Sequence, residues 1–215
     1  MPDGWRMLWG GIGHSNAEER MHETQSPILL DELQMLRQAG LGEKVIAHSE
    51  RVTATALWLV DQLGEDVAVD RERVRRGAVF HDLGKVEDGG VLHGVVGARL
   101  GRALGLEEDV CRTMEVHVRG GVPAEEAARY GLPPGDYRPE TLEQRLVVLA
   151  DKLMDVVEAG KAASAAEALA TLEGLLHRFP DLGKDAATTA RILGLAEAFR
   201  AARRENERQP GEQAF

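Results

Sequence analysis

His81-Asp82-Leu83-Gly84-Lys85 sets two different metal-ligating side chains on adjacent residues, with a glycine and a cation directly behind them. In a chain with seven His and many Asp, such a pair also arises by chance, so its weight depends on further ligands within reach. Outward from it, His48 lies upstream, His93 and His117 lie downstream, and Asp151 sits in Leu149-Ala150-Asp151-Lys152. Whether these residues meet depends on the helices that carry them.

Asp70 is placed to cap a helix through Val74, Ala78 and Val79, and Gly84 breaks it, so His81 and Asp82 fall at a helix C-terminus. Glu43 to Leu63 reads as a helix with Val45, Val52, Leu59 and Leu63 on one stripe. His48 shares that stripe and should point inward. After the turn Asp88-Gly89-Gly90, a helix from about His93 to Leu104 places His93, Val96, Gly97, Leu100 and Leu104 on one face, where Gly97 and Gly101 permit close approach. A helix over about 107–118 ends at His117. Pro123 starts a short helix closed by Gly131, and residues 132–139 form an extended loop. Thr141-Leu142-Glu143-Gln144 is a capping box that opens a long helix, and Asp151 lies inside its apolar segment, where a carboxylate needs a partner. Upstream, Ser26 reads as an N-cap and Pro27 as the first position of a helix over 27–39 ended by Gly40. Two more helices are expected at about 165–178 and 185–203.

Few aromatics, with plentiful Ala, Leu, Glu and Arg, favour helix packed on helix over sheet, so the fold class is all-α. A chain of 215 residues can bury roughly 70% of its unfolded surface, enough for one full domain. The expected organisation is a flexible N-terminal segment over 1–25, a helical domain over 26–203 and a polar tail over 204–215. The net charge of -10 repels a nucleic-acid backbone, and no basic stripe offsets it, which argues against a nucleic-acid duplex as partner. A small anionic substrate would need local cations or metal. Cys111 is the only cysteine, which excludes an internal disulfide. No uncharged run approaches the ~20 apolar residues of a membrane span, so the expectation is no membrane and a cytoplasmic location. Nothing in the pattern sets an oligomeric state.

His48, His81, Asp82 and Asp151 suffice for one metal, and His93 and His117 add ligands for a second, with Asp82 as the bridge. Mixed nitrogen and oxygen ligation suits divalent transition metals, Fe or Mn ahead of Co, Ni or Zn, over Mg or Ca. Two ions about 3.5–4 Å apart can hold a hydroxide nucleophile and neutralise charge on a phosphoryl group. Lys85, three residues after Asp82, is placed to reach a phosphate oxygen or the hydroxide. Arg119 is a second phosphate clamp, and Asp155, one turn after Asp151, is placed to orient a ligand. His14, His22 and His177 have no ligand-spaced company, and Cys111 reads as packing.

The pattern His48, His81-Asp82, Asp151 resembles the HD superfamily of metal-dependent phosphohydrolases over about residues 40 to 160. The resemblance implies an HD-domain helical bundle of five or more helices. His93 and His117 match its two-metal subset, which includes cyclic-dinucleotide phosphodiesterases and symmetrical diadenosine tetraphosphatases. His93-Gly94-Val95-Val96-Gly97-Ala98 and Leu132-Pro133-Pro134-Gly135-Asp136-Tyr137-Arg138-Pro139-Glu140-Thr141-Leu142-Glu143 are similar to an uncharacterised HDIG-type family common in archaea, with Leu83 in place of the usual Ile. The Gly-Tyr-Pro element of the HD-GYP type is absent. Val118-Arg119-Gly120-Gly121 replaces the Thr-containing turn of the tetraphosphatases. The implied activity is hydrolysis of a phosphoester or phosphoanhydride, of a nucleotide, with metal hydroxide as nucleophile. Two alternatives stay open: a di-iron oxygenase, since similar ligand sets support that chemistry in the superfamily, and a metal-stabilised nucleotide-binding module without turnover.

Overall fold

The computed structural model describes residues 26–208, and among them helices follow one another with no strand. The first is α1 (Leu30–Gln38), followed by α2 (Glu43–Leu63) and α3 (Arg71–Phe80). A 3₁₀ turn (Leu83–Val86) leads to α4 (His93–Ala103) and α5 (Glu108–His117). Two further 3₁₀ segments, Val118–Gly120 and Ala124–Tyr130, precede α6 (Leu142–Glu158), α7 (Ala165–Arg178), the single turn α8 (Pro180–Gly183) and α9 (Ala186–Arg208). The all-α class is as the sequence predicts. No described helix is long and apolar enough to cross a membrane. The N-terminal segment 1–25, with His14 and His22, and residues 209–215 of the tail lie outside the described residues.

Local chemistry sets most boundaries. The Asp70 carboxylate accepts from the Glu72 and Arg73 amides, both at 3.0 Å, and starts α3. Thr141 and Gln144 form the reciprocal box that opens α6. The start of α1 departs from the sequence reading. Ser26 and Pro27 precede the helix, which begins behind Leu29. There the Glu32 carboxylate accepts from the Leu29 amide at 3.0 Å. Glu32 is buried, and Arg75 of α3 holds it through bonds of 2.6 and 2.8 Å, so a tertiary ion pair fixes this helix start. At the other end, α9 runs to Arg208, past the expected boundary at 203.

The core has two main parts. Val52 to Leu63 of α2, Val74 and Ala78 of α3, and α6, α7 and α9 build one around Leu149, Leu153 and Leu172. α6 is buried around most of its circumference, as a central helix must be. The other part joins Leu36, Ile46, Val79, Phe80, Leu83, Ala98 and Met114. α2 and α3 contribute to both, and His48 falls between Ile46 and Val52, while His81 follows Phe80. A smaller cluster of Val122, Ala127, Leu132 and Tyr137 orders the Pro-rich loop, which the bridge between Val122 and Tyr137 ties back.

Close approach at two glycines delivers the remaining histidines. A Cβ on Gly84 would lie 1.9 Å from the His93 carbonyl oxygen, and one on Gly94 would lie 2.6 Å from that of Met114. Only glycine lets the first turn of α4 lie on both the turn after Asp82 and the end of α5.

Candidate metal centre

Six of the side chains singled out in the sequence converge. His48 Nε2 lies 3.1 Å from Asp151 Oδ1 and 3.8 Å from Asp82 Oδ2. His81 Nε2 lies 3.4 Å from Asp82 Oδ2 and 3.7 Å from Asp151 Oδ1. The other oxygen of the same carboxylate, Asp82 Oδ1, is 3.3 Å from His93 Nε2 and 3.6 Å from His117 Nε2. Asp82 thus presents one oxygen to each pair of imidazoles. His48, His81 and Asp151 form one group able to hold an ion, and His81, Asp82 and His117 form another.

Each imidazole is oriented through its other nitrogen. His81 Nδ1 bonds the Ala78 carbonyl at 2.7 Å, His117 Nδ1 bonds that of Met114 at 2.7 Å, and His93 Nδ1 bonds that of Gly90. These carbonyls lie three residues back. His81 and His117 stand at the ends of their helices, where i−3 carbonyls lack intrahelical partners, and His93, at the start of α4, turns back to a carbonyl of the preceding loop. His48, in the middle of α2, has no such carbonyl, and its Nδ1 pairs with Glu158 Oε1 of α6 at 2.9 Å. With Nδ1 as the donor, each Nε2 is left with a lone pair aimed at the cluster.

That arrangement calls for a cation. His93 Nε2 and His117 Nε2 face each other at 2.9 Å, with both Nδ1 atoms on carbonyl oxygens. His81 Nε2 is fully buried without a hydrogen-bond partner. Burial opposes charge on His81, yet Asp82 and Asp151 outweigh it and push its pKa up to about 10. Burial likewise works against the Asp82 carboxylate, but His81, His117 and His93 hold it well below its usual range. At His117, burial dominates and brings the imidazole down to about 4. A spot that draws a proton onto a buried imidazole between two carboxylates draws a metal ion for the same reason. Nitrogen and carboxylate donors in this number suit a divalent transition metal.

Lys85 is half-buried and its ammonium lies 2.5 Å from Asp82 Oδ2. Arg119 stands on a left-handed turn, φ 59°, with its guanidinium over the Tyr130 ring and Nη1 3.5 Å from Asp185 Oδ2. Both line a cavity of about 370 Å³ that opens beside His93, His117 and Asp151, a volume in the range of small-molecule sites. Asp155 does not orient a histidine: its carboxylate pairs with Lys152 at 2.6 Å. Glu158 does what the sequence reading gave to Asp155, and its place two turns after Asp151 was the available signal. Cys111 is buried beside Met114 and burial raises its thiol pKa, consistent with a packing role. His177 is exposed and apart from the cluster.

A helical bundle whose buried His and Asp side chains converge between α2, α3, α4, α5 and α6 defines the class, and the chain belongs to the HD domain family. The family model matches residues 45–154, a span that takes in all six converging residues. The archaeal resemblance is also borne out. An uncharacterized protein of Methanocaldococcus jannaschii is 41% identical over 113 residues, covering 52% of this chain and 67% of that protein. A tRNA (cytidine(56)-2'-O)-methyltransferase of Thermoplasma volcanium is 32% identical over 154 residues, 70% of this chain; the chain spans only 44% of that protein's length. Among solved structures, the HD domain of the L. monocytogenes phosphodiesterase PgpH, in complex with cyclic-di-AMP, superposes with a TM-score of 0.53. It is 16% identical, and the match covers 86% of this chain and 100% of that one, a likeness of fold.

Proposed function

We propose that this protein is a metal-dependent phosphohydrolase that cleaves a phosphoester or phosphoanhydride bond of a nucleotide. In this reading His48, His81, Asp82 and Asp151 hold one divalent ion, Fe or Mn ahead of Co, Ni or Zn. Asp82, His93 and His117 hold a second. When bound, such ions supply Lewis acidity toward a phosphoryl oxygen and a nucleophilic oxygen at neutral pH.

The chain's own groups do the rest. Carbonyls of Ala78, Gly90 and Met114, with the Glu158 carboxylate, fix the imidazole tautomers so that no ring must reorient during the reaction. Lys85 sits against Asp82 at the cavity wall. In this reading its ammonium turns to the phosphoryl oxygen on which negative charge accumulates, a charge-assisted bond stronger than a neutral one. Arg119, which lines the same cavity, holds a phosphate of the substrate.

The observation that carries the proposal is the pair of oxygens on Asp82, each facing two imidazole Nε2 atoms beside a cation-lined cavity. The test is anaerobic purification with metal analysis, then a nucleotide and phosphoester screen with Mn and Fe. We expect metal-dependent release of phosphate or nucleotide, lost in Asp82→Ala. No release by any metal-loaded form, or oxygen consumption by the iron form with an organic substrate, would overturn it.

A further inference from the structure

Four cations line the cavity: Lys85, Arg119, Lys152 and Lys184. Two are already committed to carboxylates. Lys85 is paired with Asp82, and the buried Lys152 ammonium bonds Asp155 at 2.6 Å and the Leu182 carbonyl at 3.0 Å. Arg119 is held only loosely, because Asp185 already accepts from the Thr188 amide at 2.7 Å and the Tyr130 hydroxyl at 2.8 Å. The Lys184 ammonium is exposed and has no partner among the described residues.

The two available cations share a second property. Among the described residues, Arg119 and Lys184 are the non-glycine positions with positive φ. Arg119 and Gly120, φ 59° and 70°, are the centre of a turn closed by the Gly121 amide on the Val118 carbonyl at 3.1 Å. Such a turn favours Asn or Gly at both places. Lys184, φ 68° and ψ -49°, is the centre of a γ-turn closed by the Asp185 amide on the Gly183 carbonyl at 2.8 Å, a rare and strained conformation. The two turns meet through Asp185, the neighbour of Lys184 and the partner of Arg119. Strained backbone that carries long cations to one rim of one cavity points to a use for those cations.

We infer that Arg119 and Lys184 form a subsite for a second phosphoryl group, apart from the one attacked, so that the substrate is a nucleoside diphosphate, nucleoside polyphosphate or dinucleotide. The inference rests on the phosphohydrolase reading of the same site.

The test is calorimetric titration of the Mn-loaded protein with AMP and with ADP, for wild type, Lys184→Gly, Arg119→Gly and Lys184→Arg. Glycine relaxes both turns, so the first two variants remain folded while losing the charge. In each of them the preference for ADP over AMP falls about tenfold, equivalent to about 1.4 kcal/mol, and Lys184→Arg retains most of it. A wild type without preference for ADP, or a preference that changes less than about twofold in both glycine variants, overturns the subsite. If the preference falls in the variants but no nucleotide or phosphoester in the screen is turned over with any metal, the hydrolase reading fails and the subsite stands. If turnover occurs with an unchanged preference, the subsite fails and the hydrolase reading stands.

Discussion

Replacing Gly84 by alanine tests how α4 is seated on the turn that follows Asp82. Gly84 is buried, and a Cβ there would lie 1.9 Å from the His93 oxygen, 2.5 Å from the Gly97 nitrogen and 2.8 Å from the His93 carbonyl carbon. All three are backbone atoms, so no rotamer change relieves the clash, and α4 must retreat by roughly an ångström to regain contact distance. Overpacking of this kind costs about 1–3 kcal/mol, and rigid backbone on both sides puts Gly84→Ala at the upper end. At about 2–4 °C per kcal/mol for a domain of this size, Tm falls by roughly 6–12 °C. The retreat carries His93 away from His117 Nε2, now 2.9 Å distant, and from Asp82 Oδ1 at 3.3 Å. Bound metal per chain therefore falls along with stability. Gly89→Ala is the control, since nothing lies within 4 Å of a Cβ there, and it stays within about 0.5 kcal/mol of wild type. Thermal and urea unfolding with metal analysis of both variants decide the matter. A Gly84→Ala protein that melts within about 2 °C of wild type and retains its metal would refute the account of the α4 seat.

Three further outcomes follow from the same geometry. Mn at about a hundred times its Kd adds about 2.7 kcal/mol to stability, a rise in Tm read by calorimetry; an equal rise in Asp82→Ala would place the ion elsewhere. Glu158→Ala weakens metal binding about 10–100-fold, measured by chelator competition. Glu158→Gln keeps an oxygen acceptor for His48 Nδ1 and loses much less, so equal losses in the two variants would sink the positioning role. For Asp185, burial opposes ionisation, but bonds from the Thr188 amide and the Tyr130 hydroxyl, with the Arg119 charge, bring its pKa down to about 2. An unfolded Asp titrates near 3.9, so the gain is present above about pH 4 and is lost as pH falls through 2. Solvent screening reduces it to about 1 kcal/mol. The stability difference between wild type and Asp185→Asn should therefore shrink from pH 5 to pH 2, and a constant difference would count against the bonds named.

What the sequence made legible is what a single helix or a single turn encodes. Asp70 and Thr141 cap where they stand because a cap needs only its own next three amides. His48 points inward because its stripe does. α1 starts after Ser26-Pro27, a sound local signal, because the distant Arg75 overrides it by burying Glu32. α9 runs past residue 203 because Arg204 to Arg208, although polar, contains only residues a helix accepts, and the first breaker in the sequence is Pro210.

The metal centre shows the same boundary more sharply. At 3.6 residues per turn, a residue four positions on is rotated about 40° past its predecessor, whereas one seven positions on returns to within about 20°. Glu158 is therefore closer to the face of Asp151 than Asp155 is, and helical geometry alone favoured it as the partner of a ligand. Asp155 is nearer in sequence but turns instead to Lys152. No comparable rule reaches Lys184. It follows a helix of one turn that leaves no periodic trace, and it lines the cavity only because α8 and α9 return to the centre that α2 to α6 build. The six converging side chains sit on helices or at their ends and announce themselves by spacing. The cations proposed to bind the substrate come from the connections, and only the folded chain brings them to the cavity.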